Sequence, residues 1–283
     1  MVWRPPTAGY DRPGGSRRWP ERGGLRPVTA SLAVKLLLTP ALIAAASLVA
    51  RRWGARVAGW LVGFPFTSGP VALVLVLDHG RRFAAAAAVG TLLGVLSQAA
   101  FAVAYVRVAR RLGWPACLAA GTLAFAGSTL ALAHVGASPP VAAGLVVAGL
   151  SLALAVTPSP ARPERGGRPP AWDLPARMLV ATAFVLVITA LASRLGPGLT
   201  GLLTPFPLYA TVLGVFAHLH DGRESASAVM RGLLTGLYGF GAFFLALSLL
   251  LVSGGPALAF AGAIAAVALV QALALALGRE RAG

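Results

Sequence analysis

From residue 31 to residue 278 the chain alternates between long apolar runs and short polar clusters. Each run is roughly twenty residues or more, the length at which a helix rising 1.5 Å per residue crosses about 30 Å of hydrocarbon. The pattern predicts spans at 31–50, 57–77, 83–106, 114–134, 140–157, 176–193, 198–218, 226–252 and 256–278. The runs are continuously apolar and do not alternate with period two, which separates them from barrel strands. In lipid each backbone amide must find its partner within its own segment, so continuous runs read as helices. The expected fold is all-α: a polytopic integral membrane protein of about nine transmembrane helices.

Composition agrees with the pattern. Apolar residues make up 57% of the chain and charged residues 11%, against about a quarter charged in a soluble domain. Residues 1–30 differ in kind, with six arginines scattered among prolines and glycines, and are expected to be a disordered basic tail. The apolar stretch that follows lacks a small-residue cleavage site and is long enough to span, so it does not read as a signal peptide. Residues 158–175, rich in Pro, Arg and Gly, read as a loop.

The formal charge of +16 does not point to nucleic acid, because the arginines cap helices and are not gathered on one face among aromatics. They fit anionic headgroups of membrane lipids at arginine-rich loops. The single cysteine, Cys117, lies inside an apolar run and builds neither a disulfide framework nor a thiolate metal cage. All eight acidic residues fall in loops or at helix ends, so the midplane carboxylate usual in a proton-driven cation exporter is missing. The sequence contains no nucleotide-binding loop, HExxH helix or GxSxG elbow. The expectation is no catalytic residue, no cofactor and no metal.

Comparison of the chain with itself is more informative. A shift of 142 positions lays Lys35–Arg107 over Arg177–Leu249 without a gap, and roughly a quarter of the pairs are identical. The identities include Arg52/Arg194, Gly59/Gly201, Phe64/Phe206, Pro65/Pro207, Gly80/Gly222, Gly90/Gly232 and Phe101/Phe243. These residue types do not match by chance as alanine and leucine do in so apolar a chain. The expected organisation is a first four-helix repeat at 31–135, a linking helix at 136–157, the loop at 158–175, a second four-helix repeat at 176–278 and a short tail at 279–283. Because an odd number of spans precedes the second repeat, it enters the membrane from the opposite side. Arginine placement agrees: the loops with Arg51, Arg52, Arg56, Arg107, Arg110 and Arg111 have second-repeat equivalents holding only Arg194. Counting basic residues favours an external N-terminus and a cytoplasmic C-terminus, although the arginine-rich tail argues the other way.

The sharpest motif lies in the second span of each repeat, Gly63-Phe64-Pro65-Phe66-Thr67-Ser68 in one and Pro205-Phe206-Pro207-Leu208-Tyr209 in the other. Proline lacks the amide proton and clashes with the carbonyl one turn back, so it breaks the helix and frees carbonyls. Paired broken helices at corresponding places in two repeats mark substrate sites in secondary transporters. The candidate substrate-binding residues are therefore Phe64, Pro65, Thr67, Ser68, Phe206, Pro207 and Tyr209. The competing reading is that the prolines only shape helices for packing and that the hydroxyls bond back to their own backbone. The same spans end in Asp78-His79-Gly80 and His220-Asp221-Gly222. One His and one Asp per cluster are too few for a metal site, and helix capping with a glycine turn explains them more simply. Lys35 and Arg231, near span ends, are expected to reach the headgroups or to attract an anion.

Residues 177–250, with Arg177, the Gly201–Pro207 segment, His218 and Gly222, resemble the GlpM family of small bacterial membrane proteins. The resemblance extends to both repeats, though the first has Val76 where the second has His218. It implies four-helix units, here in tandem and inverted, a multi-pass place in the inner membrane, and a link to envelope polysaccharide production. Two functions follow as expectations: a secondary transporter or permease for a small neutral, anionic or amphiphilic solute, or a non-transporting scaffold in envelope polysaccharide biosynthesis. In a Cys117→Ser background, single cysteines at positions 80 and 222 are expected to react with impermeant reagents from opposite faces of the membrane. Labelling from the same face would rule out inversion.

Overall fold

The computed structural model describes residues 27–62, 64–65, 68–159, 170, 172–183, 186–187 and 206–280, and among these there is no strand. The helices are α1 (Pro27–Trp53), α2 (Ala55–Val62), α3 (Ser68–His79), α4 (Arg81–Ala109), α5 (Trp114–Leu132), α6 (Pro139–Val156), α7 (residues 173–183), α8 (Leu208–Ser253) and α9 (Gly255–Glu280). Five of them, α4, α5, α6, α8 and α9, are long and apolar enough to cross a membrane. Most of the expected N-terminal tail, much of the expected loop at 158–175 and residues 188–205 lie outside the described residues.

Local chemistry sets the boundaries. α5 and α6 carry proline in their first turn, where the missing amide proton costs nothing. α6 stops at Val156, ahead of Pro158. The span expected at 57–77 is two helices, because the chain leaves helical geometry at Phe64 and Pro65 before α3 begins. Proline at position 40, by contrast, is carried inside α1.

Two glycines paired by the repeat take up one unusual conformation. Gly80, between α3 and α4, has φ 82° and ψ 168°, and Gly222, inside α8, has φ 79° and ψ −178°. This region of backbone space is open essentially to glycine alone. At Gly222 the chain reverses: a Cβ built on Gly214 would lie 2.4 Å from Met230 Cε, two residues that a straight helix would hold roughly 24 Å apart. α8 is therefore a hairpin with a first limb up to Asp221 and a second limb from Arg223.

α4 and α8 form the centre, each with just over half of its spanning residues buried, against about a fifth for α5, α6 and α9. The outer helices turn Leu123, Leu152, Ile264 and Leu269 outward, an apolar surface that suits lipid and not water. α6 packs on both α4 and α8. The Arg81 guanidinium lies 4.0 Å from the Cβ position of Gly255, and the Arg223 guanidinium donates to the Arg110 carbonyl at 3.3 Å. α4 and the second limb of α8 thus run antiparallel.

The tightest crossing joins α2 to that second limb. A Cβ on Gly59 would meet the Val229 carbonyl oxygen at 2.1 Å, and one on Gly232 would meet the Arg56 carbonyl oxygen at 2.1 Å. Here backbone touches backbone, the contact that small residues permit between membrane helices. Gly59→Ala and Gly232→Ala should each lower stability by roughly 1–3 kcal/mol through overpacking. Gly144→Ala, exposed on α6 with nothing near its Cβ position, should be neutral or slightly stabilising. Thermal unfolding in detergent measures both.

Candidate functional site

Phe64-Pro65 separates α2 from α3, and Pro207 directly precedes α8. The Leu61 carbonyl, one turn before Pro65, accepts from the Phe64 amide at 3.1 Å, and the Pro65 carbonyl accepts from the Gly69 amide at 2.9 Å. Pro207, at φ −78° and ψ 60°, is the centre of an inverse γ-turn closed by the Leu208 amide on the Phe206 carbonyl at 2.8 Å. The Pro207 carbonyl then accepts from the amide and the hydroxyl of Thr211, each at 2.9 Å.

The aromatic members pack into the core. Phe64 meets Trp60 edge-on with ring centroids 5.2 Å apart. Phe206 stands edge-on to Phe101 of α4 at 5.7 Å and to Phe125 of α5 at 5.4 Å. A Cβ on Gly69 would lie 3.6 Å from the ring of Phe243, on the second limb of α8. Gly69, after the first motif, thus approaches the second limb of α8, and Phe206 of the second motif packs on α4 and α5. Ser68 opens α3 half-buried. Tyr209 packs beside an apolar cluster of Ile43, Ala181, Val212 and Phe216. Thr67 lies outside the described residues.

The main polar cluster was not legible in the chain. Asp173, in the first turn of α7, is fully buried. Its carboxylate accepts from Arg177 Nε at 3.0 Å to each oxygen and from Arg51, at the end of α1, at 3.1 Å. His220 Nε2, at the end of the first limb of α8, is 3.1 Å from Asp173 Oδ1, an ion pair when the imidazole is protonated though off the line of a hydrogen bond. The guanidinium of Arg177 also lies over the Phe216 ring at 4.9 Å. Asp221, in the turn outside the spans, has its carboxyl raised above the ordinary range by burial; Arg177 and His220 oppose this and Asp173 adds to it. The ends of α1 and of the first limb of α8 are thereby tied to the start of α7. The only hint in the sequence is the i,i+4 spacing of Asp173 and Arg177 on a helix start, where a carboxylate suits the dipole.

A second polar contact lies one turn deeper. Tyr105 Oη of α4, fully buried, is 3.3 Å from Nδ1 of His218 on the first limb of α8, with ring centroids 6.1 Å apart. The Arg231 side chain reaches from the second limb of α8 to the end of α6. Its guanidinium donates to the Leu154 carbonyl at 3.0 Å and to the Thr157 carbonyl, closing the last turn of α6. Among the described residues no three His, Cys, Asp or Glu side chains gather as metal ligands. Comparison with protein-family profiles, with curated proteins and with solved structures finds no match.

Removing one partner of a buried ion pair strands the other charge and costs about 3–5 kcal/mol. Asp173→Ala should therefore unfold at markedly lower temperature, while Asp173→Ala with Arg177→Met should recover part of the loss. Equal melting of the single and double variants would mean the two groups do not depend on each other.

Proposed function

We propose that the chain is a secondary transporter or permease of the inner membrane, built as a 4+1+4 inverted repeat, for a small neutral, anionic or amphiphilic solute. The observation that carries this reading is reciprocal seating. α2 crosses the second limb of α8 backbone to backbone at Gly59 and Gly232, and Phe206 of the second broken helix lies against Phe101 and Phe125 of the first half. α4 and the second limb of α8, equivalents at the 142-residue offset, run antiparallel, as inversion requires. Rocking one half against the other would therefore move each break relative to the surface on which it rests. The aromatic lining near Phe206 favours an amphiphilic or uncharged solute over a hydrated cation. In this reading α6 is the unpaired linking helix, and the GlpM-like character of each half fits descent from a unit that paired with an inverted copy of itself.

The competing reading is a static scaffold in envelope polysaccharide biosynthesis. The fully buried Asp173 with its two arginine partners favours it, because such a lock resists motion. Pro65→Ala with Pro207→Ala distinguishes the two. Restoring the helix bonds should leave insertion intact but abolish solute-dependent maleimide reactivity of a cysteine placed by Tyr209→Cys, measured in vesicles against a panel of metabolites and lipids. If the parent reactivity responds to no solute, and envelope-synthesis proteins co-purify with the chain, the scaffold stands instead.

A further inference from the structure

His218 lies on the first limb of α8, within an expected membrane span, and faces Tyr105 across the junction of the two halves. An ionisable side chain inside a span is costly and usually functional, and histidine is the side chain whose ordinary titration falls between about pH 5 and 8. The repeat shows that the fold does not need this polar pair. At the 142-residue offset the counterparts of His218 and Tyr105 are Val76 and Leu247, both buried and apolar. Hydrocarbon fills the positions in one repeat that a phenol and an imidazole take in the other, so burial alone does not account for the pair.

We propose that His218 binds a proton and that this proton is the coupling ion of the transport cycle. The proposal rests on the transport reading above. In the neutral tautomer that carries its hydrogen on Nε2, Nδ1 accepts a hydrogen bond from the Tyr105 hydroxyl across 3.3 Å. Once a proton is added, both ring nitrogens are donors, so the phenol must turn its own hydrogen elsewhere and offer oxygen instead. That turn is felt at the break. Tyr105 lies against Phe101 with centroids 6.1 Å apart, and Phe101 meets Phe206 at 5.7 Å, the residue directly before Pro207. Three packed rings therefore join the protonated nitrogen to the broken helix.

The surrounding charges leave His218 free to act alone. From α5 the ionisable group is the buried Cys117, whose thiol donates to the Leu112 carbonyl at 3.6 Å. Arg107 near the end of α4, and Arg110 and Arg111 just after it, are all exposed. On α8 itself His220 and Asp221 follow, with Arg223, Glu224 and Arg231 on the second limb, and α2 brings the exposed Arg56. Arg51 of α1 and Asp173 and Arg177 of α7 are engaged with one another and with His220.

The test uses full-length protein in lipid nanodiscs, labelled with 13C and 15N in histidine and followed by side-chain NMR across about pH 4.5 to 8.5. His218→Gln assigns the resonance. The expected result is a one-proton step at His218 whose midpoint moves in Tyr105→Phe. In the same pH series, with Tyr209→Cys in a Cys117→Ser background, maleimide reactivity should change several-fold across that step. The change should vanish in His218→Gln and persist in His220→Gln. A His218 that keeps one protonation state throughout overturns the proposal, as does titration that leaves reactivity unchanged. Reactivity that responds to a solute but not to pH overturns coupling and leaves transport standing. Reactivity that responds to neither, while His218 still titrates, overturns transport and with it the role of the proton.

Discussion

Inside hydrocarbon a carbonyl or amide without a partner costs several kcal/mol, and a helix broken by proline creates such groups at the depth where water cannot supply partners. The described breaks meet that demand close to home. Pro207 closes a γ-turn and hands its own carbonyl to Thr211, and the Leu61 carbonyl, which Pro65 deprives of its helical partner, accepts from Phe64. Several hydroxyls follow the same rule, with Thr91, Thr182 and Ser227 each bonding back one turn along their own helices. Arg231 extends it between helices, because its guanidinium closes the end of α6 from a neighbouring element. A side chain expected to reach headgroups or attract an anion thus also takes part in the backbone accounting.

Glycine solves two other problems, and the repeat puts it in matching places for each. Gly80 and Gly222 reverse the chain in a conformation that any Cβ would obstruct. Gly59 and Gly232 let two backbones touch. The counterpart of that crossing pairs Gly201 with Gly90, and Gly201 lies outside the described residues. The same residue type thus sets both where helices turn and how closely the halves approach. Burial divides accordingly: the central helices α4 and α8 are just over half buried while α5, α6 and α9 are mostly exposed.

Much of the fold was legible because hydropathy and proline act locally. Described helices fall on the expected runs, with a break at Phe64-Pro65 and a helix start just after Phe206-Pro207. The reversals at Gly80 and Gly222 agree with the expected glycine turn. The ionic cluster was not legible, since Arg51 and Asp173 are 122 positions apart and only folding brings them together. Sequence placed Asp173 among loop residues, whereas the structure buries it completely. Tyr209 and Phe206 were expected to line a site, and their described neighbours are apolar and aromatic. The more telling polar contact, Tyr105 with His218, joins residues on two helices from different halves, a pairing that no spacing rule reaches.

The seating of α2 on the second limb of α8 carries a consequence for how the protein is made. α2 is 8 residues long, far short of a membrane crossing, and its contact surface at Val229 and Gly232 is about 170 residues further along the chain. A ribosome adding about 5–20 residues per second needs roughly ten to thirty seconds to supply it. For that interval the half-made molecule holds a short helix, a proline break and a glycine face without their eventual neighbour. Lipid, the insertion machinery or another nascent helix must occupy that face until the second half arrives and displaces the occupant. The order of synthesis thereby makes the first half a waiting intermediate, and the glycine crossing becomes the step that ends the wait.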